Sequence, residues 1–224
     1  MRIFFCFIFT SLIYSQMNSF QLEKLNRINQ EKLFVKNSTI ASTIFLPTHI
    51  VSNKNIALSS FFISDDKNSD FDSTPVLIGS IKLSWNLSLL GRMSASSNEK
   101  KAINIYGWGL SYKPGSEDTK SYWNIGINSG VYKHFNSISS SSFSFSFMRK
   151  IYLRKSNVFL GISSNNVKGV NYNINQNIDS QDFKYNFSNF IFGTTIELKG
   201  IKILPMFNYS TDNFVVIVGL QKEF

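Results

Sequence analysis

The segment SSSSFSFSFMRK, residues 139–150, decides the fold of this chain, because serine and phenylalanine alternate along it. Side chains of a β-strand point alternately to its two faces, so Phe143, Phe145 and Phe147 share one face and the serines between them share the other. Such a strand separates an apolar medium from a polar one. The apolar medium is either a protein core or lipid.

The same alternation recurs along the chain and favours lipid. Large side chains fall on even positions from 102 to 112 and on odd positions from 122 to 133. The opposite face carries Gly, Ser, Asn and Thr, whereas the wet face of a soluble sandwich is usually rich in Lys and Glu. Small polar residues suit the interior of a small barrel, so we predict a hydrophilic lumen filled by side chains. The residues predicted to face lipid are Phe143, Phe145, Phe147, Trp108 and Trp123.

The backbone requires that a sheet facing lipid be closed. Hydrocarbon offers no hydrogen-bond partner, so an open edge is excluded. The 224 residues suffice for one barrel domain. We predict an all-β fold, a closed antiparallel up-and-down transmembrane β-barrel of about ten strands, with eight or twelve as alternatives. The predicted strands are 55–64, 75–84, 87–96, 102–112, 120–133, 138–153, 157–163, 184–198, 201–209 and 213–224.

The N-terminus, MRIFFCFIFTSLIYSQ, has the pattern of a secretory signal peptide. A basic start precedes an apolar run, and a small residue, Ser15, marks the cleavage region. The run is too short to span a bilayer. It contains Cys6, the one cysteine of the chain. We therefore predict that residues 1–15 are a signal peptide and that the exported mature chain has no disulfide and no thiolate metal site.

Residues 16–54 differ in pattern from the predicted barrel domain at 55–224. FQLEKLNRINQEKLF, residues 20–34, is compatible with a short helix that has Leu22, Leu25 and Leu33 loosely on one side. STIASTIFL, residues 38–46, is compatible with a further strand. We predict an N-terminal extension or a partial plug, and the sequence leaves both open.

Residues that carry chemistry are scarce. The two histidines are His49 and His134, and His134 falls in a predicted loop near Ser137 and Ser139. No oriented carboxylate accompanies it, so we interpret it as an exposed loop histidine rather than half of a Ser/His pair. The acidic stretch SDDKNSDFDS, residues 64–73, lacks the spacing of a calcium loop. We predict no catalytic, cofactor-binding or metal-binding residues and no enzyme activity.

The net charge of +9 does not indicate a nucleic-acid partner. The lysines are scattered singly or in pairs, without a basic stripe or a recognisable nucleic-acid motif. A basic balance of this kind is also compatible with anionic lipid headgroups.

The last residues, NFVVIVGLQKEF, carry an alternating apolar face that ends in an aromatic residue. This segment resembles the C-terminal strand of bacterial outer-membrane β-barrels, whose assembly machinery recognises such a face, although Lys222 stands where an apolar residue is more usual. The resemblance implies location in the cell outer membrane, with membrane lipid and the barrel-assembly machinery as partners. The residues of the implied assembly signal are Phe214, Val216, Val218, Leu220 and Phe224.

The function predicted from the sequence is coarse. We expect a small outer-membrane barrel with a structural, surface-interaction or narrow-passage role and no catalysis, with an aromatic girdle at the strand ends. The alternative is a secreted soluble β-barrel or sandwich that binds an apolar ligand. The two differ in whether the alternating aromatic residues point outward or inward.

Overall fold

The structure, a computed structural model, describes residues 28–47, 50, 53–65, 74–98, 101–117, 121–134, 138–153, 156–172, 181–211 and 213–224. This part of the chain forms helix α1 (Ile28–Ser42) and ten strands. The strands are β1 (Ile56–Asp65), β2 (Thr74–Lys82), β3 (Leu87–Asn98), β4 (Lys101–Tyr112), β5 (Trp123–His134), β6 (Ile138–Tyr152), β7 (Ser156–Asn171), β8 (Gln181–Leu198), β9 (Ile201–Ser210) and β10 (Asn213–Glu223).

The ten strands form one closed, antiparallel barrel. Each strand pairs with the next along the chain, and β1 closes the ring by pairing with β10, with Phe61 opposite Gly219. Closure leaves no strand at an open edge. The predicted closed up-and-down barrel of about ten strands is therefore confirmed. Among the described residues, no helix is long and apolar enough to cross a membrane.

The barrel has two ends. We call the end at which β1 begins and β10 ends the proximal end, and the opposite one the distal end. At the proximal end β8 turns into β9 through Lys199 and Gly200, whose φ angles of 50° and 78° suit a two-residue type I′ hairpin. Glycine adopts a positive φ without the steric cost that a side chain imposes, so Gly200 favours this turn.

Strands β7 and β8 are longer than the sequence predicted. A strand at 157–163 and a loop at about 164–184 were expected, whereas pairing continues as far as Asn171 opposite Gln181. The outward positions from Ser164 to Lys168 and from Asp182 to Ser188 are polar, so the apolar alternation fades there. The inward Val167 is nevertheless fully buried. Together with β6, these strands form the tallest part of the wall.

The outer face carries the large apolar side chains. Phe143, Phe145 and Trp108 are 49%, 46% and 50% exposed, and Trp123 is also exposed. Phe147 lies on the same face and stacks on Trp123, with ring centroids 4.6 Å apart. All five residues predicted to face lipid thus point away from the lumen.

The inner face is not uniformly hydrophilic, and this part of the prediction is wrong. Strand β6 does turn Ser142, Ser144 and Ser146 inward. Strands β1, β2 and β10 instead bury bulky apolar residues in one cluster with α1, because apolar side chains of an internal helix need apolar partners. The inward apolar residues of these strands include Phe61, Ile63, Val76, Ile78, Val215 and Ile217.

Helix α1 and the segment after it lie inside the barrel. Residues 34–46 are all buried, and α1 contacts β4, β5, β6, β7 and β10. Residues 38–42, predicted as part of a strand, are helical. The hydroxyls of Ser38 and Ser42 are satisfied within the helix by the carbonyl oxygens of Val35 and Thr39. The predicted signal peptide, Leu22, Leu25 and His49 fall outside the described residues.

Replacement of Gly219 by Leu should destabilise the barrel, because a Cβ there would lie 2.2 Å from Cε1 of the buried Phe61. Overpacking of this kind costs about 1–3 kcal/mol. The measurement is the urea midpoint of the refolded protein in vesicles. Gly91→Leu is the matched control, since no atom lies within 4 Å of a Cβ at that position. Equal midpoints for the two variants would contradict the packing described at the β1–β10 junction.

Candidate functional site: the occupied lumen

Residues 28–47, which we call the plug, include α1, and their part from residue 34 onward is buried inside the lumen. Phe34 packs edge-on against Tyr132, near the distal end of β5, with ring centroids 5.5 Å apart. Asn124, near the proximal end of the same strand, donates a hydrogen bond of 3.1 Å to the carbonyl oxygen of Leu46. The plug therefore descends along β5 from the distal end toward the proximal end, where β1 begins.

One charged side chain of the wall fixes the end of α1. The guanidinium of Arg92 donates hydrogen bonds to the carbonyl oxygens of Ser42 (3.0 Å) and Ile44 (3.1 Å) and to Oδ1 of Asn128 (2.6 Å). Ser42 ends α1, where carbonyl groups lack helical partners and the helix dipole is negative. The last turn has no basic residue of its own. Arg92 thus supplies donors and positive charge to the helix end.

Burial makes Arg92 and the plug depend on each other. Arg92 is 3% exposed, and no carboxylate of the described residues forms an ion pair with it. Burying a cation is costly unless its donors are paired, and two of the acceptors of Arg92 are plug carbonyls. Removing the plug would deprive this charge of those two partners.

Further polar contacts join the plug to three other parts of the wall. Ser42 Oγ lies 3.3 Å from Ser142 Oγ of β6. Asn213 of β10 donates to the side-chain oxygen of Asn37. The ammonium of Lys36 lies 5.7 Å from the ring centroid of Phe187 on β8, a cation–π contact. The plug is therefore bound around the lumen and not along a single strand.

Glycines of β5 allow the plug to approach the wall closely. A Cβ at Gly126 would lie 2.0 Å from Cε2 of Phe45, and a Cβ at Gly130 would lie 2.2 Å from the carbonyl oxygen of Ser42. At Gly130 the obstructing atom belongs to the backbone, so a side chain there would push the plug away from the wall, and at Gly126 it would displace the ring of Phe45. The small-residue face of β5, which the sequence presented as a lumen lining, is the seat of the plug.

The wall formed by β7, β8 and β9 carries a ladder of buried polar side chains. Asn165 donates to Oδ1 of Asn189 over 2.6 Å, and Asn189 donates to Oδ1 of Asn208 over 3.0 Å. Ser163 also donates to Asn189. Mutual satisfaction of these groups lets small polar side chains occupy this part of the lumen.

The candidate Ser/His pair is not formed by Ser139. His134 is the last residue of β5 and is buried, facing the lumen, so the expectation of an exposed loop histidine is wrong. Cross-strand pairing with Ile138 holds it in the wall, while Ser139 pairs with Lys133 and faces outward. Ser137 falls outside the described residues. Within the described part of the chain, no cluster of three or more His, Cys, Asp or Glu residues is placed to hold a metal ion.

The residues implied as an assembly signal lie on the outer face of β10. Phe214, Val218 and Phe224 are exposed, and Val216 and Leu220 are half-buried. Lys222 departs from the usual apolar pattern, and its ammonium lies 5.4 Å from the ring centroid of Phe224. A cation–π contact therefore accommodates the lysine beside the terminal aromatic residue.

Sequence reasoning missed Arg92 and Asn128, the pair that holds the plug. The signal was available, because Arg92 is the one charged residue in LSLLGRMSASSN and occupies an inward position of β3. An arginine at a lumen position of a narrow barrel needs a partner inside the barrel. That partner, the end of α1, is distant in sequence and had no recognisable motif.

Comparison with known proteins gives a general likeness only. No protein-family model matches the chain, and the search of curated proteins found no match. Among solved structures, the N-terminal β-barrel domain of OprF from Pseudomonas aeruginosa is 10% identical, with a TM-score of 0.38, and the match covers 76% of this chain and 98% of that one. The KdgM porin is 10% identical, with a TM-score of 0.41 and coverage of 75% and 99%.

The attachment invasion locus protein Ail of Yersinia pestis is 9% identical, with a TM-score of 0.26 and coverage of 76% and 95%. All three TM-scores lie below 0.5. These likenesses carry no information about the ligand or partner of this chain.

Replacement of Arg92 by Met should loosen the plug, because hydrogen bonds to charged groups contribute about 1.5–3 kcal/mol each. The probe is Ala41→Cys, a position with no exposed area in α1, in a chain whose Cys6 is replaced by Ser. We expect maleimide labelling of the folded barrel to be at least about tenfold faster with Arg92→Met. Arg149→Met, which removes an exposed outward arginine, is the control. Equal labelling rates in the two backgrounds would contradict the Arg92 contact.

Proposed function

We propose that this chain is a small outer-membrane β-barrel whose lumen is closed by its own N-terminal segment. In this proposal the protein has a structural or surface-interaction role and no catalytic activity. The single observation that carries it is the burial of residues 34–46 inside a closed barrel whose outer face is apolar.

Membrane location is supported by the outer face. Phe143, Phe145 and Trp108 are about half exposed on the exterior, and exposed large apolar residues occur on all ten strands or at their ends. Exposed apolar surface of this extent marks contact with a membrane or a partner, and closure of the sheet is the condition for contact with lipid. The secretory signal at residues 1–15 remains part of the proposal.

A passage role is disfavoured by the contents of the lumen. Phe45 and Leu46 of the plug are buried against the wall. The hydrogen-bonded asparagine side chains of β7, β8 and β9 line the lumen there. The plug therefore takes up interior space through which a small molecule would have to pass. We therefore favour a structural or surface-interaction role over a narrow passage.

The soluble ligand-binding alternative is also disfavoured. It requires buried alternating aromatic residues and an interior free for an apolar ligand, whereas Phe143 and Phe145 point outward and the interior apolar residues pack against α1.

The C-terminal strand supports a route to the membrane. The exposed apolar face of β10, from Phe214 to Phe224, is the surface that we propose the barrel-assembly machinery recognises. No nucleic-acid partner is proposed.

Replacement of Phe145 by Arg tests the membrane location. An arginine near the bilayer midplane costs about 2–4 kcal/mol, and near the interface the cost falls to about 0–1 kcal/mol. Ser141→Arg is the matched control, because Ser141 lies on the same strand and face, two outward positions closer to the distal end. We expect the yield of heat-modifiable barrel in vesicles to fall for Phe145→Arg and to persist for Ser141→Arg. Unchanged yield for Phe145→Arg would oppose the proposal.

Conductance in planar bilayers tests the closed lumen. The complete mature chain should show no steady channel, because the plug occupies the interior. A variant without residues 28–46, or the less disruptive Arg92→Met, should show added current or brief openings. Steady conductance by the unaltered protein would reject a closed lumen and favour the passage role.

A further inference from the structure

Two lysines face each other on the outer surface of the tall wall. Lys168 of β7 lies directly opposite Lys184 of β8 in the strand register. Both are exposed, and among the described residues no carboxylate forms an ion pair with either. Like charges placed directly across two strands destabilise a sheet. The pair therefore has no ion-pair partner within the described part of the molecule.

A groove of about 550 Å³ lies beside this pair, on the outer side of β5 to β8. Ser139 and Ser141 line it between the lysines and β5. At the edge of β5, Lys133 is exposed, and its ammonium lies 5.9 Å from the ring centroid of Tyr106. Lys168 and Lys184, here called the lysine cluster, thus border a groove that also offers hydroxyl groups, whereas the Lys133 ammonium lies over a ring of β4.

The groove also has one acidic wall. Asp182 lines it and lies on the same face of β8 as Lys184, one outward position further toward the distal end. Two ammonium groups against one carboxylate leave the groove with an excess of positive charge. The groove therefore favours an anion.

The position of the cluster on the wall suits a lipid headgroup. On β7 the outward residues after Ile162 are polar up to Lys168, and on β8 those beyond Phe190 are polar up to Lys184. Lys168 is thus six residues beyond Ile162, and Lys184 is six residues beyond Phe190. At about 3.3 Å per residue and a tilt of about 40°, this is roughly 15 Å along the barrel axis. That distance places the ammonium groups beyond the apolar band, at the level of headgroup phosphates.

We propose that the lysine cluster binds the phosphate of an anionic membrane-lipid headgroup, an inference that rests on the proposed membrane location. A phosphate oxygen between Lys168 and Lys184 converts their repulsion into two charge-assisted contacts. Ser139 and Ser141 donate to further oxygens of the headgroup. The bound lipid supplies the ion-pair partner that the two lysines lack among the described residues.

Native mass spectrometry of the folded barrel in detergent tests this inference. The probes are a bis-phosphorylated lipid A, phosphatidylglycerol, zwitterionic phosphatidylcholine and inorganic phosphate. The unaltered protein should retain one anionic lipid in preference to phosphatidylcholine. Near a membrane surface each lysine is worth about a fivefold change in affinity, so Lys168→Gln with Lys184→Gln should weaken retention on the order of thirtyfold.

The controls separate binding from folding. Lys199→Gln with Lys222→Gln removes the same charge at the proximal end and should leave retention unchanged. Lys184→Glu should form an ion pair with Lys168, keep the barrel heat-modifiable and lose the lipid.

Equal retention in the two double variants would overturn the proposal, and so would inorganic phosphate displacing the lipid at equal concentration. A folded, membrane-inserted protein that shows no preference for anionic lipid refutes this inference alone. A protein that fails to insert refutes the membrane location as well.

Discussion

Closure of the sheet is the constraint on which the rest of this structure depends. An apolar exterior is compatible with exposed strands only if every backbone donor and acceptor finds a partner in a neighbouring strand. The pairing of β1 with β10 meets that requirement, and Phe61 packing over Gly219 fills the inner side of the junction. Once the ring is closed, successive side chains of each strand point alternately outward and into the lumen. Alternate residues must therefore suit either the outer medium or the lumen.

The lumen behaves as the core of a small globular protein. The plug supplies an apolar cluster shared with β1, β2 and β10, while Arg92 pairs with the carbonyl oxygens that end α1. Glycine at 126 and 130 brings the plug close enough for these contacts. Apolar packing and a buried cation are therefore satisfied by one segment, which explains why residues 34–46 are buried without exception. A barrel filled in this way has an interior suited to stability and not to flow.

The alternation of residues along the chain predicted the strands of the barrel well, but it predicted the segment inside the lumen poorly. The alternation in SFSFSF and the aromatic end at Phe224 depend on neighbours along the strand, so strand count, closure and outward side chains followed from the sequence. The distal half of β7 was missed because its outward residues are polar and its strand character comes from pairing with β8. The contact between Arg92 and the end of α1 joins residues about fifty positions apart. The alternation of neighbouring residues, from which the strands were predicted, gives no information about such a contact. His134 was misplaced for the same reason, since inward burial depends on the register of β5 with β6.

Fluorescence quenching of Trp108 tests the central claim most directly, because this side chain is half exposed on the outer face of β4. In a variant with Trp85→Phe and Trp123→Phe, Trp108 is the one tryptophan that remains. For the protein refolded into vesicles, we expect strong quenching by lipids brominated on the acyl chains and little quenching by aqueous iodide. Strong iodide quenching without an effect of brominated lipid would contradict a barrel that presents this face to the membrane.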